Sequence, residues 1–172
     1  KGNTVVWPLS QVPICAAAKH FNSQTLLCVM NDAFFQVFKW DNIYPNNQLE
    51  LSSIGITDHR QVINWCWLYD NSLAIITERS VFRWAIDDQS KDDFAVPLFE
   101  RKTEASETKH VAGFEVSNDG DWIMLKMLRN DGGIVNVELY SNKVNKVFFF
   151  EGLLGASLCI MPGSSPPSNV LS

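Results

Sequence analysis

Short apolar runs recur along this sequence at a nearly constant spacing, and this repeat restricts the folds that the chain can adopt. The runs begin near Leu26, Leu73 and Ile123, and a hairpin and a weaker outer strand follow each of them. A four-stranded unit that repeats every 40 to 50 residues is typical of propeller blades. An immunoglobulin-like sandwich is the structural alternative, but it does not account for the repeated order of hairpin and outer strand.

The clearest unit lies at positions 62–87. Trp65 and Trp67 are two residues apart, so on a strand they point to the same face of the sheet. Positions 73–77 form a short apolar run with β-branched residues, which predicts a strand covered on both faces. The alternation returns at 81–86. We therefore expect three antiparallel strands here, with at least one of the two tryptophans packed between adjacent blades.

The units before and after it have the same shape. In the earlier one, Phe34, Gln36, Phe38 and Trp40 alternate with Phe35, Val37 and Lys39, so the two sets are expected on opposite faces of one strand. The later hairpin crosses a turn of Asn and Gly residues. Positions 102–109 are interpreted as a charged helical turn. The predicted strands are 5–9, 14–18, 25–30, 33–40, 49–52, 62–68, 73–77, 81–86, 94–99, 112–117, 122–128, 134–140 and 144–150, with a further unit beginning at 153–161.

These elements predict an all-β fold, a β-propeller fragment of about three blades. The blades are placed at about 10–52, 61–101 and 111–150, with the start of the next at 153–161 and a loose tail rich in Pro and Ser at 162–172. Propellers close a ring of four to eight blades, and the sequence begins without Met. We therefore interpret it as a piece of a longer protein.

Composition and charge narrow the function classes. The net charge is −5, with 46% hydrophobic and 19% charged residues, which indicates a globular protein and disfavours nucleic-acid binding. The histidines are far apart and are interpreted as solvated loop residues, without metal-ligand spacing. No catalytic triad, phosphate loop or paired carboxylate stands out, so no enzyme activity, metal or cofactor is expected. The four cysteines, Cys15, Cys28, Cys66 and Cys159, are expected to be buried free thiols.

Several motifs of the central unit carry a family resemblance. The order Val62-x-x-Trp65-x-Trp67, followed by Leu-Ala-Ile-Ile-Thr at 73–77 and by Val81-Phe82-x-Trp84, resembles the N-terminal propeller of clathrin heavy chain. Phe-Gln-Val-Phe at 35–38, Leu-Tyr-Ser at 139–141 and Glu-Gly at 151–152 occur in matching order. The resemblance covers about 25–160. It implies a seven-bladed propeller of a vesicle coat that binds short linear motifs of adaptor proteins in clathrin-mediated transport and endocytosis.

The resemblance also implies where peptides bind. In the family, the residues of the main peptide-binding groove match Leu27, Gln36 and Phe38 of this sequence. Two lysines that follow the strand with the Gln and Phe meet the acidic flank of the bound motif. Positions 40–59 contain no Lys or Arg here, so Lys39 and Arg60 are the nearest cations. A second groove matches Trp122 and Leu139, although Phe148 or Phe149 stands where the family has Gln. The family also has a third, central pocket with a Gln, and Glu115 occupies the matching position in this sequence. The candidate peptide-binding residues are Leu27, Gln36, Phe38, Lys39, Trp122 and Leu139.

The implied partners follow from the same resemblance. They are adaptor-protein motifs, and clathrin light chain and other heavy chains through regions outside this sequence. The implied location is the cytosolic side of coated pits and vesicles, with membrane contact only through adaptors. Two other readings remain open. One is a generic WD40-like interaction scaffold unrelated to coats, and the other is a propeller hydrolase, because the turn at 117–122 resembles an Asp-box but is one residue short and occurs once.

Overall fold

A computed structural model of the chain contains three four-stranded antiparallel sheets. The structure describes residues 13–21, 24–40, 42, 44–68, 71–86, 94–101, 108–117, 121–129, 135–141, 143–153, 156–160 and 169–171. The first sheet contains β1 (Cys15–Phe21), β2 (Gln24–Met30), β3 (Phe34–Lys39) and β4 (Asn47–Glu50). The second contains β5 (Val62–Trp67), β6 (Ser72–Thr77), β7 (Ser80–Ala85) and β8 (Ala95–Glu100). The third contains β9 (Thr108–Val116), β10 (Trp122–Arg129), β11 (Val135–Ser141) and β12 (Lys146–Leu153).

Each sheet is a meander in which neighbouring strands follow one another along the chain. A two-stranded sheet of β13 (Leu158–Ile160) and β14 (Asn169–Leu171) comes after the third. Polar residues make the tight turns possible. Asn71 and Asn145 have φ values of 59° and 48°, a left-handed conformation that Asn tolerates better than most side chains. Three successive four-stranded meanders confirm the prediction of an all-β, blade-built fold.

The first two sheets pack face to face around two tryptophans of β5. The Trp65 indole N–H donates to the Cys15 Sγ at 3.0 Å, and the Trp67 indole N–H donates to the Ala17 carbonyl at 3.1 Å. Trp65 also meets Phe35 edge-on, with ring centroids 5.4 Å apart. Both indoles therefore contact the first sheet, which confirms the expectation of a tryptophan between blades. Their N–H groups thus have hydrogen-bond partners in a partly buried interface.

The second and third sheets share another core. Phe99 stacks on Tyr140 with centroids 4.4 Å apart. Beside this pair, Arg101 Nε donates to Glu138 Oε2 at 3.1 Å, and both side chains are almost fully buried. Every residue of β6 is buried, as expected for a strand covered on both faces. The buried residues of this second core are Leu68, Ala74, Ile76, Val81, Phe99, Ile123, Leu125 and Tyr140.

The connection from the first sheet to the second differs from expectation. An outer strand was predicted at 49–52 in a polar, turn-rich stretch. The observed strand ends at Glu50, and two short 3-10 helices, Leu51–Ile54 and His59–Gln61, follow it. Leu51 and Ile56 are buried in the first core, so the connection covers apolar surface. The many polar and turn-forming residues of this stretch favoured the prediction of an exposed connection, so the sequence did not indicate that Leu51 and Ile56 would be buried.

Other expectations need correction. The predicted helical turn at 102–109 ends in a strand, because β9 begins at Thr108, while 102–107 lie outside the described residues. His20 is on β1 and not in a loop. Asn169–Leu171 pairs with β13, although a loose tail was predicted there. The predicted strand at 5–9 lies outside the described residues.

Three of the four cysteines are described as thiols. Cys28 is buried, and Cys15 and Cys66 are half-buried, without a disulfide. Burial raises the pKa of the Cys66 thiol to about 12, although the nearby Lys19 opposes this rise. Within the described residues, no helix is long and apolar enough to cross a membrane.

Candidate functional site

Three of the candidate peptide-binding residues lie together on one face of the first sheet. Leu27 on β2 is directly opposite Phe38 on β3, and Gln36 is opposite Gln48 on β4. Side chains at directly opposed positions point to the same face, and so do residues two apart on one strand. Leu27, Gln36 and Phe38 therefore share a face, here called the Gln36 face. The opposite face packs on the second sheet through Trp65 and Trp67.

The Gln36 amide is paired within the sheet. Its Nε2 donates to the Gln48 Oε1 at 2.9 Å. A partly buried amide without a partner would cost free energy, so this cross-strand bond explains how Gln36 is tolerated beside two aromatic residues. An amide has two N–H groups and an oxygen. Gln36 can therefore keep this bond and also bond to the backbone of a bound peptide.

Phe38 and Leu27 differ in exposure. Phe38 is 3% exposed, whereas Leu27 is half-buried. Leu27 therefore presents apolar surface on the Gln36 face, whereas Phe38 is almost completely covered. Val29, opposite Gln36, is also buried.

Lys39 lies on the other face. It is directly opposite Leu26 and one residue after Phe38, so the strand alternation separates it from Gln36 and Phe38. Lys19 is opposite Leu26 from the other side and donates to the Leu68 carbonyl of the second sheet. The two lysines of the first sheet therefore flank the interface with the second sheet. Arg60, the other nearby cation, forms an ion pair with Asp58 at 2.6 Å.

Trp122 and Leu139 share a face of the third sheet. Leu139 is opposite Met124, two residues after Trp122, and Trp122 packs against Phe148 with ring centroids 6.1 Å apart. Leu139 is 8% exposed, and Leu153, Ala156 and Leu158 pack against this cluster. The two candidates are thus neighbours, but the segment after β12 packs over their face. They lie on a different sheet from the Gln36 face.

Glu115, at the position of the implied central pocket, is engaged by its neighbours. It forms an ion pair with Lys126, and its Oε2 accepts the Leu158 N–H at 2.7 Å and the Ser157 hydroxyl at 3.1 Å. Burial favours the neutral acid, but these hydrogen bonds outweigh it and lower the pKa of Glu115 below its usual value. The carboxylate therefore fastens the third sheet to the segment after it.

Three residues that the resemblance did not single out also lie on the Gln36 face. Gln48 pairs with Gln36, and Glu50 is directly opposite Phe34. The Trp40 N–H donates to the Thr25 carbonyl at 2.9 Å, which continues the ladder and places Trp40 on the side of Phe38. The alternation of 34, 36, 38 and 40 signals Trp40 in the sequence. Gln48 and Glu50 had no such signal, because their register depends on a loop.

Metal chemistry has no support among these side chains. Within the described ranges, no group of three or more His, Cys, Asp or Glu residues is placed to hold a metal ion. The Asp32 carboxylate, near one end of the face, contacts a histidine, with its Oδ1 3.0 Å from the His59 Nδ1. The side chains of the Gln36 face offer apolar and hydrogen-bonding contacts.

The three four-stranded sheets correspond to a fragment of a β-propeller, an all-β class of protein. The Gln36 face is the candidate peptide-binding surface of this fragment. Among curated proteins, the chain is similar to clathrin heavy chain of Dictyostelium discoideum, with 28% identity over 114 residues. The matched region is 63% of this chain and 6% of that protein, so the chain spans a small part of the relative's length. No family model matches the chain. The similarity supports a distant, partial relationship to clathrin heavy chain.

Proposed function

We propose that this chain is part of a vesicle-coat protein and that its Gln36 face binds short linear motifs of adaptor proteins. The observation that carries the proposal is the shared face of Leu27, Gln36 and Phe38 in a chain that is similar to clathrin heavy chain. The same similarity supports a place on cytoplasmic vesicles. The proposal assigns no catalytic chemistry to the chain.

The chemistry of the face suits an extended peptide. Apolar side chains of a peptide gain affinity by leaving water at Leu27 and Phe34, two half-buried residues of this face. The paired amides of Gln36 and Gln48 supply hydrogen-bonding groups for its backbone. Because both lysines of the first sheet lie on the other face, binding should depend on the leucines of a motif more than on its acidic residues.

Titration of a peptide with central leucines and Ser and Gln flanks into the full chain tests the peptide-binding proposal. We expect weak binding that changes little with salt and that Leu27→Ala reduces severalfold, because exposed apolar contact area is lost. Leu128→Ala serves as the matched control, because Leu128 is an exposed leucine on β10 of the third sheet, and it should leave binding unchanged. Absence of binding, or equal binding after both substitutions, would contradict the proposal.

The coat role needs a separate test, because a generic propeller scaffold could bind peptides in the same way. We expect the full chain in cells to co-sediment with coated vesicles. Leu27→Ala should reduce that association in parallel with peptide affinity. Peptide binding without any association with coated vesicles would favour the scaffold alternative.

A further inference from the structure

The Gln36 face ends in an open cleft of about 500 Å³ beside the turn between β2 and β3. Residues of the Gln36 face line one side of this cleft, namely Phe34, Gln48 and Glu50. Its other sides are lined by Asp32 and Ile56. Phe34 is directly opposite Glu50, two residues along the ladder from the Gln36–Gln48 pair and on the same face. The cleft is therefore continuous with the face on which we propose that peptides bind.

Charge on this surface has one dominant sign. Among the described residues of the Gln36 face, the strand alternation places no Lys or Arg, since Lys19 and Lys39 are both on the opposite face. Glu50 is exposed, and the Asp32 side chain is 80% exposed beside His59. Arg60 lies nearby but is paired with Asp58. An acidic peptide flank would thus meet carboxylates at this end.

The other end of the face carries an aromatic group. Trp40 is 44% exposed and lies beside Thr25, whose hydroxyl bonds to the His20 ring at 3.1 Å. The face of an indole ring attracts Lys and Arg side chains through its quadrupole. The six residue steps from Phe34 to Trp40 span about 20 Å at a strand rise of about 3.4 Å per residue. A peptide of about seven extended residues therefore meets both ends.

We propose that the Gln36 face selects apolar peptides flanked by Lys or Arg, with one basic side chain in the cleft between Phe34 and Glu50 and another over Trp40. The proposal rests on the proposed peptide-binding function and deepens it by naming the chemistry of the partner. Complementary charge gives specificity and faster association more than raw affinity. A carboxylate beside an aromatic floor accommodates both the charged head and the apolar stem of a long basic side chain.

The test compares three fluorescent peptides that share the same central leucines and differ only in their flanks, which are Lys and Arg, Ser and Gln, or Asp and Glu. Titrated into the full chain at low salt, the basic peptide should bind about threefold to tenfold more tightly than the acidic one, because each exposed charge contact contributes little. The difference should shrink as salt rises. Equal affinities, or tighter binding of the acidic peptide, would overturn the inference.

Two charge variants sharpen the test. Glu50→Lys should shift the preference toward the acidic peptide, whereas Glu100→Lys should leave it unchanged. Glu100 is a matched control because it is also the exposed last residue of an outer strand, on the second sheet. A shift with both variants would mean that only net charge matters, and would also overturn the inference. Failure of all three peptides to bind would instead contradict the proposed function.

Discussion

Arg101 and Glu138 form a buried charged pair between the second and third sheets. Arg101 also donates to the Thr77 carbonyl at 2.8 Å and lies 3.0 Å from the Met127 Sδ, while the Glu138 Oε1 has no hydrogen-bond partner among the described residues. Removing one member of such a pair leaves a buried charge without its counter-charge, which typically costs about 3–5 kcal/mol. We expect Arg101→Met to destabilise the full chain by about this amount. Arg101→Met with Glu138→Leu should recover most of the loss, and a double variant as unstable as the single one would contradict this account. Thermal melting measures both.

The pH dependence of the same pair has a definite sign. Burial raises the pKa of Glu138 above its usual value, although the charge and hydrogen bond of Arg101 oppose the rise. Between its unfolded and folded pKa values, the native state then binds more protons than the unfolded state. The unfolding free energy contributed by Glu138 therefore falls as pH rises through that window. We expect this fall to disappear in Glu138→Gln, as measured by melting across acidic pH. A variant with the same pH profile as the parent would show that other groups cause it.

At the scale of elements, the connection between β4 and β5 contributes buried residues to the core between the first two sheets. Leu51 is 2% and Ile56 is 4% exposed in the core that the first two sheets share, and the chain turns at Gly55 with φ of 77°. Truncating a buried leucine costs about 2–5 kcal/mol, because apolar contact is lost and a cavity remains. We expect Leu51→Ala to lower the melting temperature of the full chain, and Ser52→Ala, an exposed neighbour, to leave it unchanged. Equal melting temperatures would mean that the connection does not support the core.

At the scale of the whole molecule, apolar surface remains at the far edge of the third sheet. Phe148, Phe149 and Phe150 on the outer strand β12 are 37 to 39% exposed, and Val144 is 55% exposed. Outer strands and exposed apolar patches favour association. We expect the 172-residue chain, expressed alone, to associate and to bind a hydrophobic dye. Phe149→Lys should reduce both effects, while Glu151→Lys, an exposed neighbour, should not. A parent chain that stays monodisperse and binds no dye would contradict this prediction.

The sequence was sufficient to predict much of the fold. The spacing of Leu26, Leu73 and Ile123 predicted the three sheets. The alternation around Gln36 predicted that Lys39 would lie on the other face of the strand from Gln36 and Phe38. These features are local, because side chains alternate with a period of two along every strand. Turn residues then set the register of each hairpin. The shared face of Leu27 and Phe38 follows from one such hairpin.

Only the tertiary structure decided what these faces meet. The Gln48 partner of Gln36 and the placement of Glu50 beside Phe34 depend on how the chain returns after a long loop, and turn signals do not encode that register. The burial of Leu51 and the pairing of Arg101 with Glu138 both depend on contacts between different sheets. A local sequence pattern therefore does not predict either of them. By itself, the sequence determined which residues share a strand face, since that depends on backbone period alone. Which of those faces are covered depended on packing between sheets, because burial is a property of the whole molecule.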